Sequence, residues 1–472
     1  LLHVSTRGEA PVIGFTEALL AGLARDGGLY VPEVWPVVSG QEIAGFAGRS
    51  YEDVAATVVG QLTGGAFPEA VLAGMIRDAY ATFRHPAVCP LVQLDDNLFV
   101  LELFHGPTLA FKDVAMQLLG RMMDHVLKAR GERATIVGAT SGDTGSAAIE
   151  AFRGLDQVDV FILYPHGRVS EVQRRQMTTV DAPNVHAIAV EGTFDDCQAI
   201  LKALFNNHSF RDQLKLSGVN SINWARIVAQ TVYYFTAGVS LGAPHRPVSF
   251  TVPTGNFGDV FAGYAAKRMG LPVAGFTIAT NANDILARTL ASGSYTVTGV
   301  EPTSSPSMDI QVSSNFERLL FDAYGRDAGE VRRLMARLGQ AGSFTIGDDP
   351  LAAIRGEFGA EAVSEAETGA EIAQTWRTAG YLTDPHTAVA LAAARRVQPA
   401  DPSVPMVVLS TAHPAKFPDA VERASGIRPP LPAHLADLLG RREHFTVVAN
   451  DMSAIEAFIR DRARALPRAA LQ

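Results

Sequence analysis

The chain has 472 residues, a formal net charge of −9, 47% hydrophobic and 19% charged residues. That balance excludes a disordered chain and gives a globular protein with a sizeable core, long enough for two or three domains. The acidic balance argues against a nucleic-acid partner, which needs a concentrated basic face, but leaves room for small anionic ligands held by a few local donors.

Only two cysteines occur, Cys89 and Cys197, so no disulfide framework is expected. No CxxC or HExxH spacing suggests a metal. The opening LLHVSTRGEA has no basic n-region or cleavage pattern, and no apolar run approaches a membrane span. The expectation is a cytoplasmic protein with no membrane partner, with monomer and homodimer both open.

In chain order, residues 11 to about 90 read as helical. FTEALLAGLA, QEIAGFAG, YEDVAATVVGQLTG and PEAVLAGMIRDAYATF space apolar residues helically, with acidic residues early in each. From about residue 95 strands and helices alternate. NLFVLEL is a strand. RATIVGA is a strand leading through TSGDTG into the helix SAAIEAFRG. VDVFILYP leads to SEVQRRQM, and VHAIAV to TFDDCQAILKALF. INWARIVAQTVYYFTAG is a long helix. PVSFTVP runs through TGNFGD into VFAGYAAKRMG, and VAGFTIAT is a further strand.

Residues 282 to 400 are less legible, with helices such as SNFERLLFDAYG, AEIAQTWRTAG and TAVALAAARRV between loops. VPMVVLS is a late core strand, followed by FTVVAN and the helix MSAIEAFIRDRARA. Short apolar strands that each leave through a Gly- or Asn-rich loop into a helix predict parallel sheets covered on both faces. The fold class is therefore α/β, with two open parallel-sheet units and an N-terminal helical region.

In such sheets ligands bind beyond the carboxyl ends of strands, where helix N-termini present unpaired N–H groups. VPTGNFGDVF places Gly255 and Gly258 there, and GATSGDTGSAA places Thr140, Ser141 and Thr144 there. Each loop also reads as an ordinary turn or a helix cap, and neither matches a nucleotide fingerprint. Lys112 lies in HGPTLAFKDVAMQLLG, after a Gly-Pro turn and beside Phe111. It reads either as a snorkelling surface lysine or as a desolvated amine nucleophile. A buried lysine with two anion-shaped loops suggests a pyridoxal phosphate enzyme.

HGPTLAFKD resembles the cofactor-lysine segment of the threonine synthase family. STRG, GATSGDTGSAA, NSINWARI, TGNFGD, SPSMDIQVSSNFERLL, DPHTAVA and STAHPAKF extend the likeness along most of the chain. The resemblance implies a fold type II pyridoxal 5'-phosphate enzyme, similar to the tryptophan synthase β subunit in fold. It would convert O-phospho-L-homoserine and water to L-threonine and phosphate.

Lys112 would hold the cofactor as a Schiff base and then move protons on the substrate. Thr254, Gly255, Asn256, Phe257, Gly258 and Asp259 would bind the cofactor around its phosphate. Thr411 would meet the ring nitrogen. Thr140, Ser141 and Thr144 would bind the substrate's carboxylate end, and Asn220, Ser221 and Arg226 its phosphate. Asp143 stands where related enzymes often have an Asn facing the cofactor's phenolic oxygen. A carboxylate there would repel a phenolate, so Asp143 is expected to bond to backbone instead. Asp309, His386 and His413 are expected to make structural contacts.

The implied domains are an N-terminal region over 1–92, a large cofactor domain over 93–129 and 223–472, and a small mobile domain over 130–222. Rival readings are a phospho-lyase giving 2-oxobutyrate, a non-catalytic cofactor or anion binder, and a nucleotide-binding protein.

Overall fold

The computed structural model describes residues 1–218, 220–397 and 401–465. Two parallel sheets organise it. The larger has six strands in the order Phe358–Ala362, Val273–Thr280, Val248–Pro253, Met406–Ser410, Leu98–Glu102 and Leu91–Asp95. All its pairings are parallel except the last. The smaller has five parallel strands, Thr446–Ala449, Val185–Glu191, Val158–Pro165, Ala134–Ala139 and Leu216–Ser217. Central strands Val158–Pro165 and Val248–Pro253 are buried at every residue, as expected of sheets covered on both faces.

The N-terminal region has the four expected helices, at Phe15–Ala21, Gly40–Ala44, Tyr51–Thr63 and Glu69–Tyr80. Local chemistry sets their ends. Ser50 Oγ accepts the Asp53 N–H at 3.1 Å, and Gly64 stops that helix in a left-handed conformation. An unforeseen antiparallel pair, His3–Ser5 with Tyr30–Pro32, is too short for alternation to show. Apolar faces of these helices join the core around the long helix Trp224–Ser240 instead of forming one of their own.

The chain's end departs from the expected division. The expected large domain includes 223–472, yet Thr446–Ala449 pairs with Val185–Glu191 and extends the smaller sheet. Helix Met452–Arg462 then buries Ile455 and Ile459 against Phe161, Ile188 and Leu204. A four-residue, largely exposed edge strand carries no signal of which sheet it joins. Residues 466–472 of that assignment lie outside the described residues. In the stretch 282–400, Phe358–Ala362 forms an edge of the larger sheet and a loop around Ser307 reaches the strand ends.

Candidate active site

Four loops leaving the carboxyl ends of strands meet between the two sheets. One runs from Leu98–Glu102 to helix Lys112–Arg130. Its turn is fixed by Asp113, whose carboxylate accepts the Thr108 N–H at 2.8 Å and the Thr108 hydroxyl at 2.7 Å. Leu109 takes a left-handed φ of 62°, a strain that the surrounding bonds hold in place. Phe111 N–H donates to the Thr411 carbonyl at 2.8 Å and His413 N–H to the Leu109 carbonyl at 3.0 Å, which ties this loop to the one after Ser410.

Lys112 opens the helix and is 8% exposed. Its Nζ donates to Ser307 Oγ at 3.1 Å and to Asp143 Oδ2 at 3.4 Å, and lies 5.5 Å from the centre of the Phe111 ring. Burial pulls the amine below the usual lysine range. Asp143 opposes that shift, and the cations of Lys416 and Arg226 reinforce it. The desolvated-amine reading of Lys112 is the one this geometry matches.

Asp143 corrects an expectation: its partners are side chains, not backbone. Oδ1 lies 2.9 Å from Lys416 Nζ and accepts from Gln173 Nε2 at 2.9 Å. Oδ2 faces Lys112 and the Ser307 hydroxyl. Burial pushes its carboxyl up, but the cations of Lys416 and Lys112 hold it far below the usual range. With Lys416 paired to it, Asp143 is no longer a bare anion, and the electrostatic objection to a phenolic oxygen nearby falls away. Preceding Asp143, Gly142 has φ 142°, and a Cβ there would collide with the Gln173 carboxamide.

The third loop joins Val248–Pro253 to helix Gly258–Arg268. Among the described residues, no protein acceptor takes the N–H groups of Gly255, Asn256, Phe257 or Gly258. Phe257 adopts φ 63° and buries its ring against Phe316 and Phe358, which holds the loop open at the helix N-terminus. A Cβ on Gly255 would come 2.7 Å from the Ser307 carbonyl oxygen. Ser313 Oγ donates to the Gly255 carbonyl at 2.7 Å, and Asn315 Nδ2 to the carbonyls of Asn256 at 2.9 Å and Ser221 at 3.2 Å. The carbonyls are thus occupied and the amides free, the arrangement an anion needs.

Arg226 is 3% exposed, and its Nε has no partner among the described residues. Burial pulls the guanidinium down to about 10, which leaves it charged at neutral pH. A buried, unsatisfied cation is costly unless an anion joins it. Asp259 turns its side chain away from the loop to accept from the hydroxyls of Tyr233 and Tyr234. Burial pushes its carboxyl up to about 7, so any part it plays in binding falls to its backbone.

Other expected residues are placed as follows. Thr140 Oγ1 accepts the N–H groups of Gly142 and Gly145, both at 2.9 Å, so it shapes its own loop. Ser141 and Thr144 are half-buried on that loop. The Thr254 hydroxyl donates to the Val252 carbonyl at 2.7 Å. Thr411 is 6% exposed, its carbonyl accepts the Phe111 N–H at 2.8 Å, and its hydroxyl makes no hydrogen bond among the described residues. Asn220 is exposed and Ser221 half-buried.

Asp309 gathers Asn281, Asn283 and Thr303 into a loop support, and His413 Nδ1 accepts the Ala415 N–H. Ser307, Gln173, Asn315 and Lys416 escaped sequence reasoning. Each is an ordinary polar residue whose partner is distant along the chain.

An aldehyde cofactor with a phosphate fits this set: a buried amine, four unpaired amides at a helix N-terminus, a free hydroxyl and an unpaired guanidinium. Comparison with known families agrees. Residues 2–80 match the threonine synthase N terminus, 84–412 the pyridoxal-phosphate dependent enzyme family, and 387–459 the threonine synthase C-terminal region.

Threonine synthase of Pseudomonas aeruginosa is 54% identical over 97% of both chains, and that of Saccharomyces cerevisiae is 45% identical over 90% of this chain and 89% of its own. The crystal structure of pyridoxal phosphate-bound threonine synthase from Brucella melitensis superposes with a TM-score of 0.96 at 62% identity, covering 98% of this chain and 99% of its own. With identity sustained along the whole chain, this protein belongs to the threonine synthase family, and pyridoxal phosphate is its cofactor.

Proposed function

We propose that the cleft converts O-phospho-L-homoserine and water into L-threonine and phosphate. The observation that carries this reading is the convergence of three things in one cleft: the buried amine of Lys112, the unpaired amides of 255–258 and the unpaired guanidinium of Arg226. Gly255, Asn256, Phe257 and Gly258 would hold the cofactor's phosphate, Lys112 its aldehyde carbon and Thr411 its ring nitrogen. When bound, pyridoxal phosphate supplies an electron sink that acidifies the C–H bonds near the substrate's amino group.

The chain's own part is proton handling and charge placement. Burial weakens the hold of the Lys112 amine on its proton, which suits a group that takes the substrate's Cα proton and later returns it. The bond to Ser307 Oγ orients that amine. Arg226 would bind the departing phosphate, whose oxygens suit a planar guanidinium fork, aided by Asn220 and Ser221. Ser141 and Thr144 would hold the substrate's carboxylate. Water must stay out until the γ C–O bond has broken, so closure of the smaller unit over the substrate belongs to this proposal.

Purified protein given pyridoxal phosphate and O-phospho-L-homoserine should release threonine and phosphate in equal amounts, and Lys112→Ala should abolish both. Phosphate with 2-oxobutyrate and ammonia would make the protein a phospho-lyase. No turnover would overturn the proposal.

A further inference from the structure

A second lysine lies behind the first. Lys416, in the short turn Pro414–Lys416, is 0% exposed. Its Nζ donates to the Thr108 carbonyl at 2.7 Å and to Gln176 Oε1 at 3.0 Å, and lies 2.9 Å from Asp143 Oδ1. Thr108 belongs to the turn that carries Lys112, while Asp143 and Gln176 belong to helices of the smaller unit. One ammonium group therefore joins both units around a carboxylate whose other oxygen faces Lys112.

A tie between Thr108 and Gln176 needs only a donor, and a neutral amide would supply it without the several kcal/mol of desolvation that a buried ammonium costs. The charge calls for its own reason, and Asp143 provides one. Its single negative charge is shared between two cations. Without Lys416, the nearest cation to this buried carboxylate would be Lys112, and a tight pair would keep Lys112 protonated and unreactive.

We propose that Lys416 is a positioning residue for the amine of Lys112: it occupies the charge of Asp143 so that Lys112 is not locked into an ion pair, and it fixes the Lys112 turn against the smaller unit. The inference rests on Lys112 being the reactive amine, but its test does not. The charged groups facing Lys112 are Asp143 from helix Asp143–Phe152, Lys416 from its turn and Arg226 from helix Trp224–Ser240, with His386 facing Asp143. Burial and the two cations lower the Lys112 amine, and Asp143 alone raises it.

The test uses the full-length protein freed of cofactor. Lys112 is titrated by competitive acetylation with trace acetic anhydride across neutral and alkaline pH, read by mass spectrometry of its peptide. In Lys416→Met the Lys112 titration should move up by about one pH unit or more. Lys416→Arg, which keeps the cation, should restore the wild-type position. Asp143→Asn should move it down, and the double variant Lys416→Met/Asp143→Asn should return towards wild type. An unchanged Lys112 titration in a Lys416→Met protein with native near-ultraviolet circular dichroism would overturn the proposal. If Lys416→Met does not fold, Asp143→Asn decides, because an unmoved titration there removes the carboxylate on which the proposal depends. Loss of turnover with these shifts intact would bear on the proposed reaction, not on Lys416.

Discussion

The backbone N–H of Ser307 donates to Nε2 of His386 at 3.2 Å. Nδ1 of the same ring meets Oδ2 of Asp384 at 2.8 Å, so the ring proton sits on Nδ1 and Nε2 is left as an acceptor. Ser307 in turn places its Oγ on Lys112 and its carbonyl against Gly255. His386 thus sets the position of the amine and of the 255–258 loop without touching either. His386→Ala should lower kcat/KM about tenfold, as expected for one lost buried hydrogen bond, and should slow reassociation of pyridoxal phosphate with the cofactor-free protein. An unaffected reassociation rate would count against this role.

Gly255 and Gly258 should differ in tolerance. A Cβ at Gly255 meets the Ser307 carbonyl oxygen at 2.7 Å, a backbone atom that cannot swing away, whereas at Gly258 it meets Asn315 Nδ2 at 3.3 Å. Gly255→Ala should weaken cofactor binding by about 1–3 kcal/mol, and Gly258→Ala by less. Equilibrium dialysis of pyridoxal phosphate against both variants gives the ranking, and the reverse order would refute it.

Arg226 is proposed to serve the substrate's phosphate. Replacing it by Gln removes a charge from a buried anion site, a loss of about 2–5 kcal/mol when one partner of such a pair is truncated. KM for O-phospho-L-homoserine should rise by about two orders of magnitude, with bound cofactor unchanged. Loss of cofactor instead would assign Arg226 to the cofactor's phosphate.

Much of this was legible in sequence, and its limits are physical. Lys112 and the 254–258 loop carry local signals: a Gly-Pro turn before a helix, glycines between strand and helix. Lys416 and Asp143 are 273 positions apart, and no periodicity links them. Ser307 reads as loop chemistry of no special kind until His386 fixes it. Asp143 shows the cost of reading a residue without its partner, since its carboxylate looked misplaced only while Lys416 was out of view. That Thr446–Ala449 joins the smaller sheet is not legible either, because an exposed edge strand of four residues specifies pairing, not a partner.

Asp259 predicts a pH dependence of stability. Burial raises its carboxyl to about 7 from an ordinary 3.8, against the opposing pull of Tyr233, Tyr234 and Arg226. An acid raised on folding holds its proton more tightly in the folded state. Its contribution is therefore complete below about pH 4 and is lost as pH climbs through about 7. Asp113, at about 6, and Glu150, at about 7, titrate in the same window, so the difference between proteins is the readout. Between about pH 5 and about pH 8, the thermal midpoint of Asp259→Asn should fall less than that of wild type. Parallel falls would show that Asp259 is not raised.

In the proposed reaction phosphate leaves from the substrate's γ carbon and water enters at the β carbon. Running the reaction in heavy-oxygen-labelled water and analysing both products by mass spectrometry tests it most directly. One labelled oxygen is expected in the threonine hydroxyl and none in the released phosphate. Label in the phosphate, with homoserine as the other product, would mean cleavage of the P–O bond and would contradict it.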